Sequence, residues 1–340
     1  MARENCQTVV QIQVLRKTRR GLLKASLLPP ALLCVSLLLS CATRPPVVEP
    51  GPEGEFAALD GGGMAYFAVD IPAARPILDL ALFEGIQGRQ AAEILDMTDT
   101  AAGAVYAAAN EEDAPAGSPR QEPAERRYLI AARGKYPAGR AGFAFTFSPE
   151  WKKLKSPAGK RYWYSRREEL ALVLETRSAL VSNTDPYPRS GAVEIPGAFR
   201  EFRENAALAG WLHSPSVPLN RFIAQLNIPI QIPADLLVFA VYPAEEGESM
   251  GGKFMEGEEE KRLYTARVRL ETQSPSQAKA LASMFSMIRL FAAGEDLPPA
   301  IAALLANTPA VDGAALILST GILEPEAIAL LFNMFSVYSR

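Results

Sequence analysis

The chain predicts an α+β fold made of two tandem ferredoxin-like repeats, βαββαβ, with antiparallel sheets. Three observations carry that prediction. The order strand, helix, strand, strand, helix, strand can be read twice along the 340 residues. The segment AYFAVDIPAARPILDLAL, from Ala65, matches LAGWLHSPSVPLNRFIAQL, from Leu208, in pattern: an apolar strand, a polar residue and proline, then an amphipathic helix. In each half a hydrophilic, acid-rich segment then separates the second strand from the third, and each ends in a charged run, Glu125-Arg126-Arg127 and Glu260-Lys261-Arg262. The halves match in pattern, not in residue identity.

Taken in order, the first half opens with a strand over 65–69, the wholly apolar Ala65-Tyr66-Phe67-Ala68-Val69, and an amphipathic helix follows. AAGAVYAAA from Ala101 is the second strand, NEEDAPAGSPRQEPAERR the hairpin tip and YLIAARGKY the third strand. A helix is expected over 139–154, with the closing strands LALVLET and SALVSNT. In the second half the corresponding strands are LAGWLH, DLLVFAVYPA, LYTARVRL and GAALILST. Its hairpin tip is EEGESMGGKFMEGEEEKR and its second helix covers 274–293. The boundary falls near 188–202, so the first repeat spans 61–195 and the second 196–340. The pattern fits two separate domains, two sheets packed face to face, or an edge-to-edge merger into one sheet covered by helices.

What precedes the body is of another kind. Arg16, Lys17, Arg19, Arg20 and Lys24 are followed by an apolar run from Ala25 to Leu39 that contains Pro29 and Pro30. The run is shorter than the ~20 residues a spanning helix needs, and a basic region before such a run is the form of a secretory signal. It ends in Leu38-Leu39-Ser40-Cys41, which resembles the lipobox of bacterial lipoproteins: an aliphatic residue at −3, a small one at −1, then cysteine. The resemblance implies that Leu38 and Ser40 are read by a signal peptidase, that the chain is cut before Cys41, and that the Cys41 thiol carries a diacylglyceryl group. Only a thiolate is nucleophilic enough for that thioether step. It also implies a membrane partner held through the lipid on Cys41. Ala42 stands where some lineages place an aspartate that retains lipoproteins in the inner membrane, so the outer membrane is favoured. Residues 41–60, ATRPPVVEPGPEGEFAALD preceded by the cysteine, read as a proline- and glycine-rich tether.

Composition narrows the function. Removing residues 1–40 takes away six basic residues and one acid, leaving 29 Lys and Arg against 37 Asp and Glu, a formal charge of −8. Such a body lacks the basic excess that tracks a phosphate backbone, so a nucleic-acid partner is not expected. Cys6, Cys34 and Cys41 are the three cysteines, and none lies in the body, which therefore has no intrachain disulfide or cysteine-based metal or redox motif.

No motif singles out a catalytic residue, a cofactor or a metal. His213, the one histidine, sits in WLHSPS at a strand end, and no G-x-S-x-G elbow accompanies it. It reads as a strand-end residue that, with Ser214, caps the next helix. Gly61-Gly62-Gly63 precedes a strand, whereas a phosphate loop follows one and opens a helix. MEGEEEKR places glutamates contiguously, unlike the alternating ligands of a calcium loop. Tyr162-Trp163-Tyr164, with Trp151 and Phe143, Phe145 and Phe147, reads as core packing. PAIAALLANTPAV and the C-terminal EPEAIALLFNMFSVYSR carry more apolar residues than one buried stripe requires. The expectation is a non-enzymatic interaction or assembly module of the cell envelope. The alternatives are a carrier of lipid or a small apolar ligand in a groove between the repeats, and an envelope hydrolase built on dispersed carboxylates.

Overall fold

The computed structural model describes residues 52–82, 92–107, 126–187, 191–216, 220, 231–244, 262–292 and 299–330. Residues 1–51 with Leu38, Ser40 and Cys41, both acidic segments (108–125 and 245–261), residues 217–219 and 221–230 of the helix expected after the strand from Leu208, and residues 331–340 lie outside them. In chain order the elements are α1 (Pro52–Glu55), β1 (Ala65–Asp70), α2 (Ile71–Leu82), β2 (Thr98–Tyr106), β3 (Arg127–Gly134) and α3 (Ala138–Phe147). They continue with β4 (Trp151–Lys155), β5 (Arg161–Ser165), β6 (Leu170–Leu174), β7 (Ser178–Ser182), α4 (Gly197–Arg203) and β8 (Leu208–His213). The last are β9 (Leu236–Pro243), β10 (Tyr264–Glu271), α5 (Pro275–Ala292), α6 (Pro299–Ala306), β11 (Ala310–Asp312) and β12 (Ala315–Ser319).

The fold is mixed α+β, dominated by one antiparallel sheet of 12 strands in the order β11-β12-β10-β9-β8-β1-β2-β3-β7-β6-β5-β4. The halves meet edge to edge, because β1 pairs with β8 and sets Tyr66 opposite Trp211 and Phe67 opposite Gly210. Strand order within each half differs from the ferredoxin-like expectation. A split βαβ unit separates the two strands joined by a helix and makes them parallel, yet here β1 and β2 are hydrogen-bonded antiparallel neighbours. The physical reason is that a helix is obligatory in a parallel crossover but merely permitted between antiparallel neighbours. Element order alone does not tell the two apart.

Local chemistry accounts for the helix ends. The Asp70 carboxylate accepts from the Ala73 N–H at 2.9 Å, and Pro72 occupies the first turn of α2, where a missing N–H costs nothing. Pro76, inside the helix, leaves the Pro72 carbonyl without its usual donor, and Arg262 supplies one at 3.0 Å. Before α5, Ser274 Oγ accepts from the Gln277 N–H while Gln277 Oε1 accepts from the Gln273 N–H, a variant of the capping box. The helix expected over 139–154 ends at Phe147. Pro149 disfavours helical backbone at Ser148, and Trp151–Lys155 becomes β4, forming with β5 a hairpin that the sequence reading did not foresee.

The central strands are packed on both faces. On one, Phe56 and Leu59 from the N-terminal segment and Phe199 and Phe202 from α4 cover Tyr66, Trp211 and Val238. On the other, Ile71, Ala74 and Ile77 of α2 join Val69, Val241, Tyr264, Leu323 and Ile328. The span 325–330 is helical, so part of the apolar C-terminal segment is core. A third cluster joins α5 and α6 to β10 and β12 through Leu281, Ile301, Leu305, Leu270, Leu316 and Leu318. Residues 52–60, which the sequence reading assigned to the tether, belong to the packed body: Phe56 is 2% and Asp60 0% exposed.

One row crosses the sheet at its centre, Phe239 to Gly210 to Phe67 to Gly103. The Phe67 ring lies where a Cβ on Gly103 would stand, and a Cβ on Gly210 would come within 2.7 Å of the Phe239 ring and 2.6 Å of the Tyr66 carbonyl oxygen. Glycines at these points let two rings lie flat across neighbouring strands.

Candidate functional site

Three features of the described residues have the composition of a site: a buried polar knot, a groove beside it and a thinly covered wing of the sheet. The knot begins at Asp60, just before the glycine run. Its carboxylate pairs with the Arg127 guanidinium at 2.6 Å, and the Asp60 side chain is 1% exposed. The guanidinium also lies 4.7 Å from the centre of the Tyr106 ring. The Tyr66 hydroxyl donates to the Asp60 carbonyl at 2.9 Å and accepts from the Gly63 N–H at 2.6 Å. The Tyr106 hydroxyl accepts from the Asp60 N–H at 3.0 Å. Burial pushes the Tyr106 phenol up to about 12, and raises that of Tyr66 in the same direction. Gly62, at φ 74°, makes the turn that wraps the chain around the Tyr66 hydroxyl, so the glycine run has a structural task here. Chemically the knot is a clasp: it fixes the N-terminal segment to β1, β2 and β3 with every phenol neutral.

The same segment is tied down twice more. Glu55 makes a two-pronged ion pair with Arg203 of α4, at 2.9 and 3.2 Å, and Arg133 of β3 donates to the Gly54 carbonyl at 2.6 Å. Between that segment and strands β2, β3, β6 and β7 runs a groove of about 370 Å³. Ala102, Ala131, Leu180 and Val173 form its floor, and Glu55, Arg133, Lys160 and Glu175 supply charge of both signs around it. The Lys160 ammonium sits 5.0 Å from the Tyr187 ring centre. The groove lies within the first half. Between the halves β1 and β8 are hydrogen-bonded, so the sheet is continuous where the sequence reading set a groove between repeats.

Beyond β7 the covering thins. Strands β5, β6 and β7 alternate partly buried residues on both faces, and β4 exposes residues 152–155. Helix α3 buries none of its residues. Phe145 packs on Trp151 and Trp163 at 4.6 and 5.7 Å, while Phe143 and Phe147 touch with tilted rings, centres 4.6 Å apart, and are 69% and 71% exposed. The aromatic cluster, expected as core packing, is only partly buried, on its Phe145 side, and joins none of the buried clusters.

The remaining sequence candidates fall as follows. His213 ends β8, and its Nε2 accepts from the Trp211 indole N–H at 3.1 Å. Its ring is thus engaged with Trp211, and Ser214, at φ 50°, donates its N–H to the Asp235 carbonyl. Among the described residues no three His, Cys, Asp or Glu side chains gather as metal ligands, and no helix is long and apolar enough to cross a membrane. Sequence reasoning missed the Asp60–Arg127 pair. Sixty-odd residues separate the partners, and an aspartate before three glycines signals only a turn.

No protein-family model matches the chain, and no curated protein sequence matches it significantly. Solved structures do. Crystal form III of a protein designated TP0453 superposes with a TM-score of 0.52 at 14% identity, covering 82% of this chain and 97% of that one. Crystal form IV gives 0.52 at 14%, covering 82% and 96%, and form I gives 0.51 at 13%, covering 84% and 98%. At such identity the likeness is one of fold.

Proposed function

We propose that this chain is a lipid-anchored protein of the bacterial cell envelope whose body is a non-enzymatic interaction or assembly module. The observation that carries the reading of the body is the wing: a sheet half-covered on both faces, beside a helix with two adjacent and exposed phenylalanines. The leader supplies the address. Cleavage between Ser40 and Cys41, after recognition of Leu38, leaves Cys41 as the lipid carrier, with the outer membrane as the favoured destination. The partners are the membrane, through that lipid, and an envelope protein. No cofactor is assigned.

The body is further read as a duplication, without the ferredoxin-like strand order. From the β1–β8 pair the sheet runs outward as β1-β2-β3-β7 on one side and β8-β9-β10-β12 on the other, each with a helix after its first strand or its third. An antiparallel pair at the centre is what a pseudo-two-fold axis between two copies of one unit would produce.

Metabolic labelling with a fatty acid tests the anchor: wild type takes up label and Cys41→Ala does not. Label retained by the variant would overturn the address. The second reading, a carrier of lipid or a small apolar ligand, draws on the 370 Å³ groove. Native mass spectrometry of the purified protein decides it, since a co-purified ligand supports the carrier and a clean apo mass counts against it.

A further inference from the structure

We infer that the outer edge of β4 is a docking strand for an extended, acidic segment of a partner protein, which adds to the sheet as a thirteenth strand. The inference rests on the interaction-module reading and names the surface and the kind of partner.

Strand β4 stands at the end of the sheet and is hydrogen-bonded to β5 alone, so the main-chain groups along its other side have no strand partner among the described residues. An extended chain satisfies such a row of donors and acceptors. The side chains then select which chain. Lys152, Lys153 and Lys155 are all exposed, and none has a carboxylate within ion-pair distance among the described residues. Lys153 instead rests over the Trp163 ring at 5.2 Å. Between Glu150 and Leu170 the chain carries seven Lys and Arg against three Glu, in a protein whose formal charge is −3 overall. Among the described residues, Arg167 is the one cation of that stretch bound to carboxylates, those of Glu150 and Glu168. The positive charge is therefore concentrated at one edge of an acidic molecule.

A second copy of β4 is a poor occupant, because antiparallel pairing would set lysine against lysine. The same lysines welcome a strand carrying glutamate or aspartate, with Lys153 and Lys155 on the face of Trp151 and Lys152 on the other. Apolar residues of the partner have a target as well. Phe143 and Phe147 lie on the outside of α3, which packs against β4 and is joined to it by the three residues 148–150.

The test uses the purified protein and a short synthetic peptide alternating Glu and Val, read by fluorescence anisotropy and by amide hydrogen exchange. The peptide is expected to bind and to slow exchange at the β4 amides. K152E/K153E/K155E, whose changes are all at exposed positions, is expected to weaken binding by at least roughly tenfold, as reversing three surface pairs implies. A Glu–Val peptide of the same sequence, N-methylated at every main-chain nitrogen, keeps the carboxylates but cannot donate main-chain hydrogen bonds, and is expected not to bind. Equal binding of a Lys–Val peptide, binding without protection of β4, or binding of the N-methylated peptide would each overturn the inference. So would attachment to anionic phospholipid vesicles with no binding of the Glu–Val peptide. The readout is independent of acylation, so a failed labelling result at Cys41 leaves it interpretable, and a failed peptide result leaves the anchor standing.

Discussion

Phe56→Ala measures whether the segment before the first strand belongs to the body or to the tether. The side chain is 2% exposed and its ring centre lies 5.0 Å from that of Trp211, 5.5 Å from Phe199 and 6.4 Å from Tyr66. A buried aromatic of this size removes ~150–250 Å² from water. At about 25 cal/mol per Å² that is roughly 4–6 kcal/mol as an upper bound. Measured truncations of buried phenylalanine cost about 3–5 kcal/mol, so a loss of about 4 kcal/mol is expected. For a body of this size each kcal/mol moves Tm by ~2–4 °C, and the melt should fall by roughly 10 °C. Urea unfolding followed by tryptophan fluorescence gives the free energy and a thermal melt gives the shift. Phe143→Ala is the control: at 69% exposure it should stay within about 0.5 kcal/mol of wild type. A Phe56→Ala protein within about 1 kcal/mol of wild type would refute the reasoning, because it would place residue 56 outside the core.

Two further perturbations probe the clasp. Asp60→Ala or Arg127→Ala alone strands a buried charge and should cost about 3–5 kcal/mol, while the double variant should cost clearly less than the sum; additive losses in a double-mutant cycle would show that the pair is not coupled. Burial holds the phenols of Tyr106 and Tyr264 at about 12, above the ordinary 10, so the folded state favours their protonated forms. Their contribution is therefore complete below pH 10 and lost as pH rises toward 12, by about 2 kcal/mol for each tyrosine. Urea midpoints at pH 9, 11 and 12 that did not fall would contradict this.

Strands were the legible part of the chain. AYFAVD and LAGWLH face packed layers on both sides and so read as near-continuous apolar runs, while in LYTARVRL Arg267 and Arg269 alternate with Ala266, Val268 and Leu270. The helix at α5 was legible for a similarly local reason, its Ser274 cap and Pro275 start. The β4–β5 hairpin was not, because WKKLK is an exposed edge and carries no apolar alternation to announce it. The candidate surface was half legible. Phe143, Phe145 and Phe147 stand out as a cluster, but which ring is partly covered depends on Trp151 and Trp163 arriving beneath only one of them.

By itself the sequence determined the properties that are local: an α+β alternation, a body without cysteine, an acidic balance, and an apolar run that stops at Cys41. Tertiary structure decided the pairing. That β1 meets β8 and merges two halves into one sheet, that Asp60 reaches Arg127, and that residues 52–60 fold back onto Trp211 all bring together residues far apart in the chain. Such contacts are selected by the complementarity of whole faces and leave no spacing in the sequence from which to read them.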